Sequence, residues 1–122
     1  MKYLILMMLI LGTPFAMAEN KPVLTVYAPD YFTSEWGPGP SIEKAFEEIC
    51  DCDLKFSAGD ILPRLILEGP NTKADIVIGL NTDITGNALE TGLFADHGQD
   101  NGALRLTLDW TDHTLLPCNW SL

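Results

Sequence analysis

Lys21 to Pro40 reads KPVLTVYAPDYFTSEWGPGP, and the fold turns on how this stretch is read. Val23, Leu24, Thr25, Val26 and Tyr27 are β-branched, aromatic or large apolar without a gap, the composition of a strand buried on both faces of a mostly parallel sheet. In open α/β sheets ligands bind beyond the carboxyl ends of the strands. Ala28, Pro29, Asp30, Tyr31, Phe32, Glu35 and Trp36 are therefore expected in a crevice loop. Gly37-Pro38-Gly39-Pro40 then stops the loop and opens a helix, because proline fits a first helical turn and not a helix interior.

Ser41 to Cys50 places Ile42, Ala45, Phe46, Ile49 and Cys50 on one helical face, which predicts a helix packed on the sheet. Asp53 to Ser57 alternates polar and apolar as a strand near the sheet edge, followed by a second crevice loop, Ala58-Gly59-Asp60. Asp60 is a candidate cap for a short helix over Ile61 to Glu68, with Pro63 in its first turn and Gly69-Pro70 marking its end. Ala74 to Leu80 is the third predicted strand, and Gly79, Asn81, Thr82 and Asp83 the third crevice loop. A helix over Thr85 to Thr91 closes at Gly92, with Leu93 and Phe94 packing back on the core. This β-α-β-α-β-α order predicts right-handed crossovers and a sheet with the first strand in the middle. Beyond Phe94, Asp96 to Gly102 is a polar loop and Leu104 to Trp110 alternates as one more strand. Thr111 to Leu122 has no capping element.

The chain has 122 residues, the length of one small domain. Met1 to Ala18 reads as an export signal: Lys2, an apolar run over Tyr3 to Leu11, and a small-x-small site at Ala16-Met17-Ala18. That apolar run is shorter than the roughly 20 residues of a spanning helix, and no cysteine stands near the cleavage site for a lipid anchor. A periplasmic or extracellular product is expected, starting at Glu19. The formal net charge is −10, and −11 once Lys2 leaves with the leader. Such a surface disfavours nucleic acid and attracts cations.

Asp30, Asp60 and Asp83 are expected on the same edge of the sheet with Tyr31, Trp36 and Asn81. Carboxylates supply charge and hydrogen bonds, and each aromatic face about 0.5 to 2 kcal/mol of cation–π attraction, which together describe a site for a small organic cation. The plain alternatives are a helix cap for Asp60, a turn or cap for Asp83, and packing for Tyr31 and Trp36. Cys50-Asp51-Cys52 admits a local disulfide, two free thiols or a thiol-exchange site, and Cys118 is an odd thiol. His97 and His113 lack metal-ligand spacing and read as ordinary surface residues. There is no phosphate-cradling glycine loop and no nucleophile in a catalytic sequence context, so no catalytic residue, metal or cofactor is expected.

KPVLTVYAPDYFTSEWGPGPSIEKAFEEICDCDLKF, then SAGD, NTKADIVIGLNTD and TGLF, resemble the amino-terminal part of the periplasmic thiamine-binding proteins of ABC importers. The resemblance covers Lys21 to about Phe94, and LDWTDHTLLP is similar to the segment leading toward the hinge between lobes. It implies a two-lobed, type II periplasmic binding protein that closes on thiamine or its phosphate esters and hands them to a membrane permease. It also implies that Asp60 is a ligand residue, with Asp30 and Trp36 bordering the cleft. The chain departs from that pattern in three places. Residues between Asp60 and Arg64 are fewer than in the family, Pro29 stands where an aromatic is frequent, and PCNWSL replaces a Pro-Phe-Asp-aromatic-Gly-Tyr run.

The expected organisation is a signal peptide over residues 1–18, a first α/β subdomain over 19–110 with helices on both sheet faces, and a truncated hinge segment over 111–122. The expected function is non-enzymatic: binding of thiamine or a thiamine phosphate in the periplasm for an ABC permease. Three other readings stay open: a nonfunctional truncated remnant, a binder of another cation or iron, and a small CxC thiol oxidoreductase.

Overall fold

The computed structural model describes residues 20–118. The leader over Met1 to Ala18, the predicted mature start at Glu19 and the tail residues Trp120 and Leu122 lie outside that range. Three parallel strands, β1 (Val23–Ala28), β2 (Asp53–Ala58) and β3 (Ile76–Val77), form one sheet in the order β2-β1-β3. The first strand is in the middle, as the alternation of elements predicts. Val23 pairs with Asp53 and Ala28 with Ala58 on one side, while Val26 and Tyr27 pair with Ile76 and Val77 on the other.

Helices α1 (Asp30–Thr33), α2 (Gly39–Cys50), α3 (Ile61–Glu68) and α4 (Thr85–Glu90) connect and follow the strands. Side chains of β1 alternate between two cores. Val26 and Ala28 pack with Leu54, against which Leu24, Phe32, Phe56 and Ile78 gather. The rings of Phe32 and Phe56 stand 5.8 Å apart. On the opposite face Tyr27 packs with Ile61 and Leu65 of α3, joined by Ala74, Val77, Leu80, Leu93 and Phe94. Leu93 and Phe94 thus pack back as expected.

Tyr27 is fully buried, and a buried phenol requires a polar partner. Its hydroxyl donates to Glu68 Oε2 at 2.8 Å, and Arg64 lies over its ring at 3.7 Å. Arg64 donates through Nε to Glu68 Oε1 (2.8 Å) and through Nη1 to Ser57 Oγ (2.7 Å). One turn of α3 is thereby bound to both β1 and β2. Arg64 first, and then the Tyr27 hydroxyl, hold the Glu68 carboxyl down to about 2.

The α2–β2 corner is closed covalently. Cys50 and Cys52 form a disulfide around Asp51, the residue that ends α2 in the left-handed conformation at φ 50°. Asp51 also pairs with Lys21 at 3.2 Å. Of the three arrangements open for these cysteines, the structure has the local bridge.

Several expectations are corrected. The loop after β1 contains a helical turn, α1, because Pro29 presets its first turn and its carbonyl accepts from Phe32 and Thr33. The third strand is two residues long instead of the predicted Ala74 to Leu80, and Asp75 continues the pairing through its side chain, accepting from the Thr25 N–H at 2.8 Å. The α2 stripe is not the packed face: Ile49 is 83% exposed and Ile42 and Phe46 are also exposed, while Glu47 turns inward to accept the Leu54 N–H at 2.8 Å. Leu104 to Trp110 forms no strand. A short 3₁₀ turn (Asn101–Ala103) and side-chain bonds order that region instead. Trp110 Nε1 donates to the Leu115 carbonyl, and the Asp112 carboxyl, held below its usual range by the Leu115 and Thr114 N–H groups, organises the following turn. His97 is half-buried rather than a surface residue. Its Nε2 donates to the Asp112 carbonyl while its Nδ1 accepts from the Gln99 N–H, and its backbone N–H donates to the His113 carbonyl.

The Glu68 network has a defined acid dependence. A carboxyl whose folded value is depressed stabilises fully above its ordinary value of 4.5, and the contribution is lost as pH falls toward about 2. Urea titrations across that window should show the wild-type chain losing stability more steeply than Glu68→Gln. Parallel pH profiles for the two proteins would refute the assignment.

Candidate functional site

The register puts the three strand tips level. Ala28 faces Ala58 across β1 and β2, so Asp30 and Asp60, each two residues further on, leave adjacent strands at the same height. Strands in a sheet lie about 4.8 Å apart. On the other side the last rung is the Ile78 N–H donating to the Tyr27 carbonyl at 2.8 Å, after which β3 leaves through Gly79 and Leu80 to the turn holding Asp83. Candidate residues from all three loops therefore emerge at one sheet edge.

Asp60 occupies the N-cap position of α3 with extended backbone, and its carboxylate makes no capping hydrogen bond. The plain alternative of a cap is thus unfilled, and the exposed carboxylate has no structural employment at the strand tip. Asp83 is exposed within the Asn81–Thr85 turn, where the Asn81 carbonyl accepts from Ile84 and Thr85, and it does not cap α4 either. Asp30 stands in the first turn of α1, where a negative charge suits the helix dipole. Tyr31 is 66% exposed and Trp36 93% exposed, so neither is packing residue for the cores.

Trp36 is thrown outward by a tight turn. The Gly37 N–H donates to the Ser34 carbonyl at 2.9 Å, folding the chain back over α1. A Cβ at Gly37 would lie 2.4 Å from the Tyr31 carbonyl oxygen and one at Gly39 2.7 Å from that of Phe32, so this return demands both glycines. Two open grooves, of about 660 and 460 Å³, flank α2. The first runs between Lys21, Glu43, Glu47 and Asp51, and the second between Thr33, Glu43, Lys55 and Phe56. Neither includes Asp30, Trp36, Asp60 or Asp83.

The disulfide is poorly placed for exchange chemistry. Cys50 ends a helix, whose negative pole opposes a thiolate, and Cys52 is buried. Among the described residues no group of three or more His, Cys, Asp and Glu has metal-binding geometry, and no helix is long and apolar enough to cross a membrane.

The thiamine-binding periplasmic protein of Salmonella typhimurium is 43% identical over 98% of this chain and 36% of its own length. That of Escherichia coli is 44% identical over 82% of the chain and 32% of its own length. A solved structure of a periplasmic thiamin binding protein superposes with a TM-score of 0.76 at 46% identity, covering 80% of this chain and 32% of that one. The chain is thus similar to one part of the thiamine-binding periplasmic proteins. It spans about a third of the length of the curated relatives it matches. No family model matches it. These relatives carry the names of binding proteins and not of enzymes, and over the part that superposes the solved structure shares the parallel open sheet seen here.

The network of Tyr27, Arg64, Glu68 and Ser57 behind the strand tips was not anticipated. Two signals for it were present: a tyrosine inside an otherwise apolar strand, and Arg64 and Glu68 at i,i+4 spacing.

Since the Asp60 carboxylate caps nothing, Asp60→Ala should change unfolding free energy by less than about 0.5 kcal/mol, against roughly 1 kcal/mol for loss of a working N-cap. Chemical denaturation decides between them. A loss of the larger size would return Asp60 to a structural role.

Proposed function

We propose that this chain presents one side of a periplasmic thiamine site, taking thiamine or its phosphate esters for delivery to an ABC permease of the inner membrane. The observation that carries the reading is Asp60: an exposed carboxylate at a helix N-cap position, engaged in no hydrogen bond, at a strand tip of a fold shared with thiamine-binding relatives. Asp60 offsets the thiazolium charge or accepts from the aminopyrimidine. Asp30 and Asp83 add negative potential from the flanking tips, and Tyr31 and Trp36 offer ring faces to the cation. The formal charge of −10 draws a cationic vitamin toward the protein, an attraction that salt weakens.

An exposed half-site holds a ligand less tightly than an enclosed one, since pockets normally bury most of a ligand's surface. Affinity of the isolated chain is accordingly expected to be modest. Calorimetric titration with thiamine should give saturable heat that diminishes with added salt. Asp60→Ala should weaken binding by about tenfold, the scale of one charge-assisted hydrogen bond, and by more than Asp83→Ala does. Equal losses would remove the case for Asp60. Absence of heat with the folded wild-type chain would favour the remnant reading, in which the fold persists without affinity.

A further inference from the structure

We propose that Gly79 is a positioning residue of this site, seating Pro29 and through it setting where α1 begins with Asp30 and where Tyr31 stands over the tip of β3. The proposal deepens the thiamine reading and rests on it.

Among the described residues five glycines have positive φ: Gly59, Gly69, Gly79, Gly92 and Gly98. At four of them a Cβ would meet nothing within 4 Å, so a backbone turn explains them fully. Gly79 is different. Its φ is +96°, and a Cβ there would lie 2.8 Å from Pro29 Cδ, 2.9 Å from Pro29 Cγ and 3.7 Å from the Tyr31 hydroxyl oxygen. A proline ring is rigid and cannot swing aside as the end of a long side chain does.

The contact stands where β1 and β3 part. The Ile78 N–H makes the last bond to β1, at the Tyr27 carbonyl, and Pro29 has no N–H with which to continue the strand. Its ring takes the space that any other residue at position 79 would need. Pro29 is also the N-cap of α1, its carbonyl accepting from Phe32 at 2.9 Å and Thr33 at 3.2 Å. The seat of the ring on Gly79 therefore fixes where the α1 turn begins and hence where Asp30 and Tyr31 project. Tyr31 reaches back across Gly79 with its hydroxyl, while two thirds of its surface stays open to a ligand. An added Cβ would lift the ring, tilt α1 and move the tyrosine from the β3 tip.

The test uses the full chain carrying 3-fluorotyrosine, with the Tyr31 fluorine signal assigned by Tyr31→Phe, alongside calorimetry with thiamine. Gly79→Ala is expected to shift the Tyr31 signal, leave that of buried Tyr27 in place, and weaken thiamine binding on the order of tenfold. Pro29→Ala removes the obstructing ring. In the Gly79→Ala background it should recover part of the lost affinity, leaving the cost of alanine at φ +96°, a coupling that a general loss of stability does not produce. Additive losses, or a Gly79→Ala chain that binds like wild type, overturn the proposal. If Gly79→Ala fails to fold, Pro29→Ala alone must still move the Tyr31 signal, and an unmoved signal overturns it. Should wild type give no heat with thiamine, the ligand reading fails while the brace is still judged on the Tyr31 signal of Gly79→Ala.

Discussion

Everything in this structure hangs from the two-sided hydrogen bonding of one strand. β1 pairs in parallel with β2 over its whole length and with β3 at its far end, so each neighbour is held by the centre and not by the other. A parallel strand in that position is covered on both faces, which is why its side chains supply both cores and why Tyr27, fully buried, must find its polar partner within the protein. Glu68 answers that need and brings Arg64 with it. Helix α3 is anchored by this polar contact as well as by Ile61 and Leu65.

The same register creates the edge proposed as the site. Parallel strands point their carboxyl ends one way, and level pairing of Ala28 with Ala58 sends the loops holding Asp30 and Asp60 out at the same edge of the sheet. What leaves those ends is chemically consistent: unengaged carboxylates, an exposed tyrosine and an exposed tryptophan. Acidic and aromatic groups with no structural employment are the ordinary equipment of a cation site, and the relatives at 43% and 44% identity are named for a cationic vitamin. Behind the edge the chain is tied down, by the disulfide at the α2–β2 corner and by the Arg64 network at α3. A rigid scaffold carrying open tips suits ligand capture.

Most of the sheet was legible because its signals are local. An unbroken apolar run marked β1, alternation marked β2, and glycine and proline marked the ends of α2 and α3. Where reading failed, a distant partner had overruled the local pattern. The apolar stripe of α2 predicted the packed face, yet the helix is held through Glu47 and Cys50, and Ile49 is left in solvent. Leu104 to Trp110 alternates like a strand but has no neighbour to pair with among the described residues, so Asp112, Asn101 and His97 order it by side-chain bonds. At the site, the residue types and loops were readable. Whether Asp60 capped its helix was not, since the same residue serves either purpose.

The amino-acid order by itself determined the β-α-β alternation, the central place of the first strand, the glycine-proline return after Trp36 and the acidic, aromatic character of the loops. These depend on periodicity, on φ restrictions and on composition, all properties of neighbouring residues. Only the tertiary structure decided that Glu68 would meet Tyr27, that Asp60 would go uncapping, and that Pro29 would rest on Gly79. Each of these is a meeting of groups from different elements, with separations set by strand register and helix placement, which no local pattern encodes.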